Sequence, residues 1–423
     1  MEAPAPDFSK RDASIVQDTL TDDATPRFDV AVVGAGAAGL AAALAIAREG
    51  IATALVGRHA PVADGRTVAL LDGSVRFLAA LGAWEAVAPH ASPLCTLQII
   101  DDTGSLFRPP PVRFQAAEIG LDAFGWNVES ARLVESLRAR ARVQANLTLV
   151  EADSTAAVPG EAVTRIALAE GGAVAARLVV GADGGRSPLR AASGVRVRDW
   201  TYPQSAITTI LAHDRPHRDV STEFHTRSGP FTLVPLPGGH RSSLVWVTGE
   251  GAARRLAALD DAALGQAVER QARAMLGAMR VDGPRGLVPM RGLAVASPVA
   301  QRLALIGEAA HVFPPIGAQG LNLGLRDAAT LRDVVLDAAR DGRDPGARPV
   351  LDAYARARRV DTAARTAAVD LLNRSLLTDL MPVDALRGLG LLVMGQLGPL
   401  RRLVMREGVV PRLGAPELMR GTR

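Results

Sequence analysis

A glycine fingerprint close to the N-terminus limits what this chain can fold into more than any other feature. The apolar run Val30-Ala31-Val32-Val33 passes directly into Gly34-Ala35-Gly36-Ala37-Ala38-Gly39, and an Ala/Leu-rich helical stretch follows without a break. Between a strand and a helix, each glycine has a mechanical reason. Gly34 permits the tight turn, Gly36 lets the backbone approach a pyrophosphate, and Gly39 lets helix and strand pack closely. A glycine-rich turn with no ligand is the bland alternative, weakened by the strand on one side and the helix on the other. One piece of the fingerprint is absent. The second strand, Ile51 to Val56, should end in an acid that holds a ribose hydroxyl, but Gly57 and then Arg58 stand there. That end of the ligand is left to backbone, water or another side chain.

Two further segments share this grammar. Arg302 to Asp327 starts as a buried strand (Leu303, Leu305, Ile306) and breaks at Gly307-Glu308. It runs through a loop with Pro314, Pro315, Gly317 and Gly320, then enters a helix whose apolar face is Leu321, Leu325, Ala328, Val335 and Ala339. An acid at a strand end followed by free helix N–H groups suits a polyhydroxylated, anionic ligand. Leu178 to Arg190 is a short apolar strand ending in Gly181-Ala182-Asp183-Gly184-Gly185, with Ser187 opening a helix. The three strand ends meet if their strands share one parallel sheet, since ligands bind at strand carboxyl ends.

In this order and spacing, the three segments resemble the single-component (class A) flavin-dependent aromatic hydroxylases, from Phe28 almost to the C-terminus. The resemblance is narrower still to the ubiquinone-biosynthesis hydroxylase subfamily. It is carried by Asp64 to Trp84, Asp199 to His217, Ser228 to Leu236 and the tail from Asn373 to Gly408. It implies an α/β fold in which a Rossmann-like FAD-binding domain of the hydroxybenzoate-hydroxylase type is interleaved with an antiparallel-sheet substrate domain, followed by a C-terminal helical segment. Cofactor contacts are implied at Gly34, Gly36, Ala38, Gly39, Arg66, Arg132, Asp183, Gly307, Glu308, Gly317, Gly320 and Asn322, and catalytic positions at Tyr202 and Pro315.

The reaction implied is ring hydroxylation of a polyprenylated phenol or quinone precursor. NAD(P)H reduces FAD, O₂ adds to give a flavin C4a-hydroperoxide, and its distal oxygen passes to an activated phenol. A general base that removes the phenol proton helps by making the ring more electron-rich. Tyr202 and His225 are the candidates, although a strand tyrosine making a structural bond and a satisfied strand histidine are the plainer readings. His311 reads as a brace for the neighbouring loop. The pattern also departs from the family. Glu308 stands where Asp is usual, and Gly317-Ala318-Gln319-Gly320 stands where the subfamily reads Ala-Gly-Gln-Gly. That order keeps a soluble hydroxybenzoate-type monooxygenase open as an alternative. A prenyl reductase and a non-catalytic subunit of a quinone-synthesis assembly also stay open. A halogenase is excluded: Lys10 is the sole lysine, and Trp84, Trp126, Trp200 and Trp246 are isolated.

With 423 residues, 48% of them hydrophobic, the chain has material for a large core or two domains. The motif order places the FAD-binding domain at 28–91, 128–197 and 285–370, and the substrate domain at 92–127 and 198–284. A disordered tail is expected over 1–27 and C-terminal helices over 371–423. Cys95, the single cysteine, reads as a buried thiol. A net charge of +4 with 4% aromatic residues offers no nucleic-acid surface, and no residue cluster has metal-ligand spacing. No signal peptide or membrane-spanning run is present, which predicts a cytoplasmic protein. Leu386, Leu389, Val393, Leu397, Leu400, Leu403 and Val404 recur near helical spacing beside Arg387, Arg401, Arg402 and Arg406. They read either as helices packed on the body or a twin subunit, or as a basic amphipathic surface touching the inner face of the membrane. Other quinone-biosynthesis proteins are further candidate partners.

Overall fold

The computed structural model describes residues 25–58, 65–104, 109–314, 318–377, 390, 393–394, 396–409 and 414–420. Pro315, Gly317, Leu386, Leu389 and nearly all of the expected N-terminal tail lie outside these residues.

Strands are numbered in chain order. The first sheet holds β1 (Arg27–Val33), β2 (Thr53–Val56), β8 (Leu147–Val150), β9 (Ser154–Pro159), β10 (Thr164–Leu168), β11 (Ala173–Gly181), β18 (Val299–Ala300) and β19 (Leu303–Leu305). Its centre is parallel in the order β19-β11-β1-β2-β8, with β9, β10 and β18 added antiparallel. These strands are apolar on both faces because both faces are covered. Val30, Val32, Leu178, Val180 and Ala304 enter one core; Ala31, Val33, Val179, Leu303 and Leu305 enter the other.

The helices are α1 (Ala37–Ala47), α2 (Asp72–Ala80), α3 (Ser130–Val143), α4 (Pro188–Ala192), α5 (Glu250–Ala257), α6 (Asp261–Gln271), α7 (Gln319–Arg340), α8 (Arg348–Leu377) and α9 (Gly398–Val409). In α1 every residue from Gly39 to Ala47 is buried. It is apolar all round because neighbours cover it all round, and its alanines let α7 and α3 approach closely.

A second sheet contains β5 (Thr96–Asp101), β6 (Val112–Gln115), β12 (Val197–His213), β13 (Val220–Thr226), β14 (Gly229–Leu236), β15 (Arg241–Gly249), β16 (Met279–Val281), β17 (Gly286–Val295) and β20 (His311–Val312). Its order is β20-β17-β12-β15-β14-β13-β5-β6, antiparallel except where β13 meets β5, with β16 against β12. Period-two alternation gives it two characters. Ile207, Phe224, Phe231 and Trp246 pack under residues of α5 and α6, whereas Tyr202, Ala206, Val247 and Met290 share the opposite face. On that face Asn127 donates to the Pro235 carbonyl at 2.9 Å and to Ser243 Oγ at 3.3 Å. Asn127 belongs to a small sheet of β3 (Thr67–Leu71), β7 (Gly125–Glu129) and β4 (Ser92–Pro93), which clips the two large sheets together.

Several expectations change. β17, expected in the FAD-binding part from residue 285, pairs along β12 in the second sheet, and β20 joins it there. The 285–370 stretch therefore feeds both sheets, because an apolar–polar alternation does not say which sheet a strand joins. β7 spans the expected 127/128 boundary, β1 begins one residue early at Arg27, and α8 runs unbroken through 370. Along α7 the buried position is Ala338 and Ala339 is exposed; Cys95 is half-buried.

Candidate functional site

The first-sheet topology brings all three glycine segments to one edge. The amide of Gly34 donates to the Val56 carbonyl, Ala182 to Val33 and Ile306 to Gly181, at 2.8, 2.8 and 2.9 Å. Gly34 has φ +118°, and a Cβ there would lie 2.2 Å from the Ala182 carbonyl oxygen. A Cβ on Gly39 would lie 1.9 Å from the Gly34 carbonyl. Both glycines are therefore demanded by the protein itself. Gly36 is different: a Cβ there meets nothing within 4 Å. Helix α1 starts beside that open space with Gly36 as N-cap, no side-chain cap and no acid in its first turn. Its free N–H groups and positive dipole end are available to an anion. At Gly57 a Cβ would stand 2.9 Å from the Ala35 amide nitrogen. A carboxylate side chain at 57 would crowd the turn itself, and Arg58 pairs away with Asp153 and Glu170.

The third segment is held from behind. Gly307 takes φ +57° with its Cα 3.1 Å from where a Cβ on Gly324 would be, and Ala38 lies against both. The Gly307 amide donates to Asp327 Oδ2 at 2.9 Å, and His311 Nε2 lies 2.6 Å from the same oxygen. Arg358 Nε donates to Asp327 Oδ1 at 2.7 Å, and Arg358 also reaches Asp361 at 2.9 Å. Burial pushes the fully buried Asp327 carboxyl up, but His311, Arg358 and the Gly307 amide together hold it below the ordinary aspartate value. Tyr354 completes the knot by donating to the Leu305 carbonyl at 3.0 Å. This keeps Glu308 on the outer side of a one-turn 3-10 helix, Gly307–Ala309, with its side chain exposed.

Asp183 points inward. Its Oδ2 accepts the Leu189 amide at 3.2 Å, and its buried Oδ1 has no partner among the described residues. Arg190, 9% exposed, bridges two segments by donating to the carbonyls of Ala309 (3.0 Å) and Gly185 (2.9 Å). Burial lowers its pKa. The bridging role of Arg190 was not foreseen, because an arginine on a short helix gives no sign of the carbonyls it will meet.

The other expected cofactor positions differ in their local bonding. The Arg66 carbonyl accepts the Ser130 amide at 2.9 Å, which sets Arg66 beside the first turn of α3 and the exposed Arg132. Arg132 faces Glu135 at 3.8 Å. Asn322 is committed internally: Oδ1 accepts the Leu71 amide at 2.8 Å, and Nδ2 donates to Ala69 (2.7 Å) and Ala318 (2.6 Å). It braces β3 against the start of α7. That helix opens on Ala318 in the left-handed conformation, again with no side-chain cap, and Gly320 stands in open space. Pro315 and Gly317 lie outside the described residues.

Tyr202 is 5% exposed; its hydroxyl donates to Asp370 of α8 at 2.6 Å and accepts from Trp200 Nε1 at 2.6 Å. Asn373 Nδ2 reaches Gln204 Oε1 at 3.1 Å, so the end of α8 is fastened onto the inner face of the second sheet. Beyond it that face is half-covered: Thr208, Thr232, Val245 and Glu223 are all of intermediate exposure. Glu223 Oε1 is 2.8 Å from His225 Nε2, while His225 Nδ1 is buried without a partner among the described residues. Opposed residues across β13, β14, β15 and β12 put Glu223, Thr232, Val245 and Thr208 in one row of this face. Glu223 was missed because nothing in the sequence marks it apart from other strand acids.

Room above Gly36 and Gly320, two uncapped helix N-termini and an unpartnered buried carboxylate oxygen on Asp183 make a cradle that fits FAD. Comparison with known proteins agrees. The model of the family described as "FAD binding domain" matches residues 27–368. The chain is 35% identical over 412 residues to the ubiquinone hydroxylase UbiL of Rhodospirillum rubrum, covering 95% of each. It is 30% identical over 387 residues to the 3-demethoxyubiquinol 3-hydroxylase of Escherichia coli K12, covering 89% of this chain and 97% of that one. In three dimensions it shares its fold with the p-nitrophenol 4-monooxygenase of Pseudomonas putida DLL-E4, with a TM-score of 0.75 at 19% identity over 94% of this chain and 100% of that one. Glycine fingerprint, strand-end cradle and full-length relatives converge: the chain belongs to the FAD-binding-domain family, as an FAD-dependent monooxygenase of the class A, ubiquinone-biosynthesis type.

Proposed function

We propose that this enzyme hydroxylates the ring of a polyprenylated phenol or quinone precursor, with NAD(P)H as reductant and O₂ as the oxygen source. The observation that carries the reading is full-length similarity to a ubiquinone hydroxylase, with 95% of both chains covered. When bound, FAD supplies the redox and oxygen chemistry, and the protein binds, orients and excludes water.

The placement of this chain's residues supports the following roles. The α1 N-terminus above Gly36 takes the pyrophosphate, with Arg66 and Arg132 flanking it. Glu308 reaches the ribityl hydroxyls from its exposed turn, and the N-terminus of α7 with Gly320 borders the ring. The substrate ring lies against the half-covered row of the second sheet, where Glu223, oriented by His225, accepts the ring hydroxyl's proton. Tyr202 and Asp370 hold the end of α8 as a wall.

Helix α9 supports a route for the apolar tail. It rests on Ala116 and Phe124 through Met405 and Val409, and Arg401 is held by Glu118 at 2.7 Å. Leu397, Leu400, Leu403 and Val404 are left exposed, 52%, 37%, 58% and 49%. With Arg402 and Arg406 beside them, they form a surface that rests on an anionic bilayer without spanning it; none of the described helices is long and apolar enough to cross a membrane. The test is quinone-intermediate profiling in a deletion strain. Accumulation of a prenylphenol lacking one hydroxyl, cleared on complementation, is expected; a normal quinone pool would overturn the reading.

A further inference from the structure

Behind the knot that holds Gly307 lies a groove of about 860 Å³ between α8 and the segment Ala294–Pro298. None of Gly34, Gly36, Asp183 or Glu308 lines it, so it is separate from the FAD cradle. Its size and half-enclosed shape are those of a small-molecule site rather than a macromolecular face. The charges around it are unbalanced. The acids on its wall are all engaged: Asp327 by His311 and Arg358, Asp352 by Arg348 at 2.8 Å, and Asp370 by Tyr202. Arg198, Arg356 and Arg359 are exposed, and their guanidinium groups have no hydrogen-bond or ion-pair partner among the described residues. Arg356 and Arg359, three apart on α8, share a face, and Arg198 lies 5.3 Å from the ring centre of half-buried Trp200 on the opposite wall. At the inner end, His311 Nδ1 and Arg358 Nη2 are buried with no partner among the described residues, on side chains only 2% and 3% exposed. Three uncompensated guanidinium groups at one mouth call for a multiply charged anion rather than a single carboxylate. The apolar wall of Trp200, Ala355 and Ala363 calls for a ring or chain attached to it.

We propose that this groove binds an organic phosphate, its phosphate between Arg198, Arg356 and Arg359 and its apolar part along Trp200. The site also has a mechanical tie to the cofactor. Its inner wall is the His311–Asp327–Arg358 knot, and Asp327 holds the Gly307 amide, so occupancy of the groove and FAD affinity are linked in both directions.

The experiment uses the FAD-loaded protein and follows tryptophan emission and binding heat. ADP and NADP⁺ represent nucleotides, dodecyl phosphate represents lipid-type phosphates, and adenosine and dodecanol are the phosphate-free controls. The expected result is saturable binding of at least one phosphate probe, no binding of its control, and an affinity about tenfold or more weaker in Arg356→Glu/Arg359→Glu. The double variant changes two exposed side chains, and an unchanged melting curve confirms that it folds. In Trp200→Phe the emission change should vanish while binding heat persists. The nucleotide and alkyl arms separate the two sources. Failure of every phosphate to saturate at millimolar concentration, equal binding to the double variant, or release of FAD by competition would each overturn the proposal.

Discussion

His311 Nε2 and the Gly307 amide converge on a single oxygen, Asp327 Oδ2, at 2.6 and 2.9 Å. The turn that carries Glu308 is thus fastened from inside by a buried carboxylate on α7. The other oxygen of that carboxylate belongs to Arg358 of α8. A buried ion group of this kind is weak evidence for net stability but strong evidence for a fixed geometry, because removing one member strands the others.

Asp327→Asn should therefore cost about 3–5 kcal/mol, the usual range for stranding a buried charge. It should also weaken FAD retention. Denaturant unfolding and flavin release on dilution measure the two effects. A loss below about 1 kcal/mol would mean that Arg358 finds another partner.

The glycines of the fingerprint should separate cleanly. Gly34→Ala forces a Cβ to within 2.2 Å of a backbone oxygen at φ +118° and should prevent stable folding. Gly36→Ala meets nothing within 4 Å, so the apoprotein should melt close to wild type while FAD affinity falls at least about tenfold. A Gly36→Ala protein that binds FAD normally would show that the pyrophosphate lies elsewhere.

Tyr202→Phe removes the hydroxyl that joins Trp200 to Asp370. A stability loss of about 1–3 kcal/mol is expected, with kcat within about threefold of wild type. A fall in kcat of a hundredfold with unchanged stability would make Tyr202 a proton-handling residue instead.

Glu223→Gln keeps shape and removes the proton acceptor. On the reading above, kcat falls by about 10²-fold with KM little changed, while NAD(P)H oxidation continues and releases peroxide. Product yield per NAD(P)H, measured beside kcat, checks this; full coupling in the variant would exclude the role.

Acid should loosen the α7–α8 contact in a defined window. Burial raises the Asp361 carboxyl, but Arg326, Arg358 and Arg365 outweigh it and bring its pKa from 3.8 to about 2. With the folded value below the unfolded one, this contribution is complete above pH 3.8 and is lost as pH falls through about 2. The stability gap between wild type and Asp361→Asn should close across that interval in urea titrations. A gap independent of pH there would contradict it.

Local grammar made the three strand-end segments legible, because a tight turn, a close backbone approach and a helix start each demand particular residues in adjacent positions. The knot was not legible. Its members Gly307, His311, Asp327 and Arg358 lie on a 3-10 turn, a short strand and two helices, and a charged residue in a helical run looks the same whether it meets water or a buried partner. The same holds for Asp370, whose bond to Tyr202 spans 168 positions. β17 could be read as a strand but not assigned to a sheet, since pairing is a long-range choice.

The meeting of Ala38, Gly307 and Gly324 bears on how the enzyme matures. Helix α1 packs on α3 and the first sheet, but its N-terminal turn at Ala38 closes only when Gly307 and Gly324 reach it, so the fingerprint near the start of the chain stays unfinished until residues beyond 324 have left the ribosome. FAD capture is then a late event in biosynthesis, and a nascent chain halted before α7 should emerge without its cofactor.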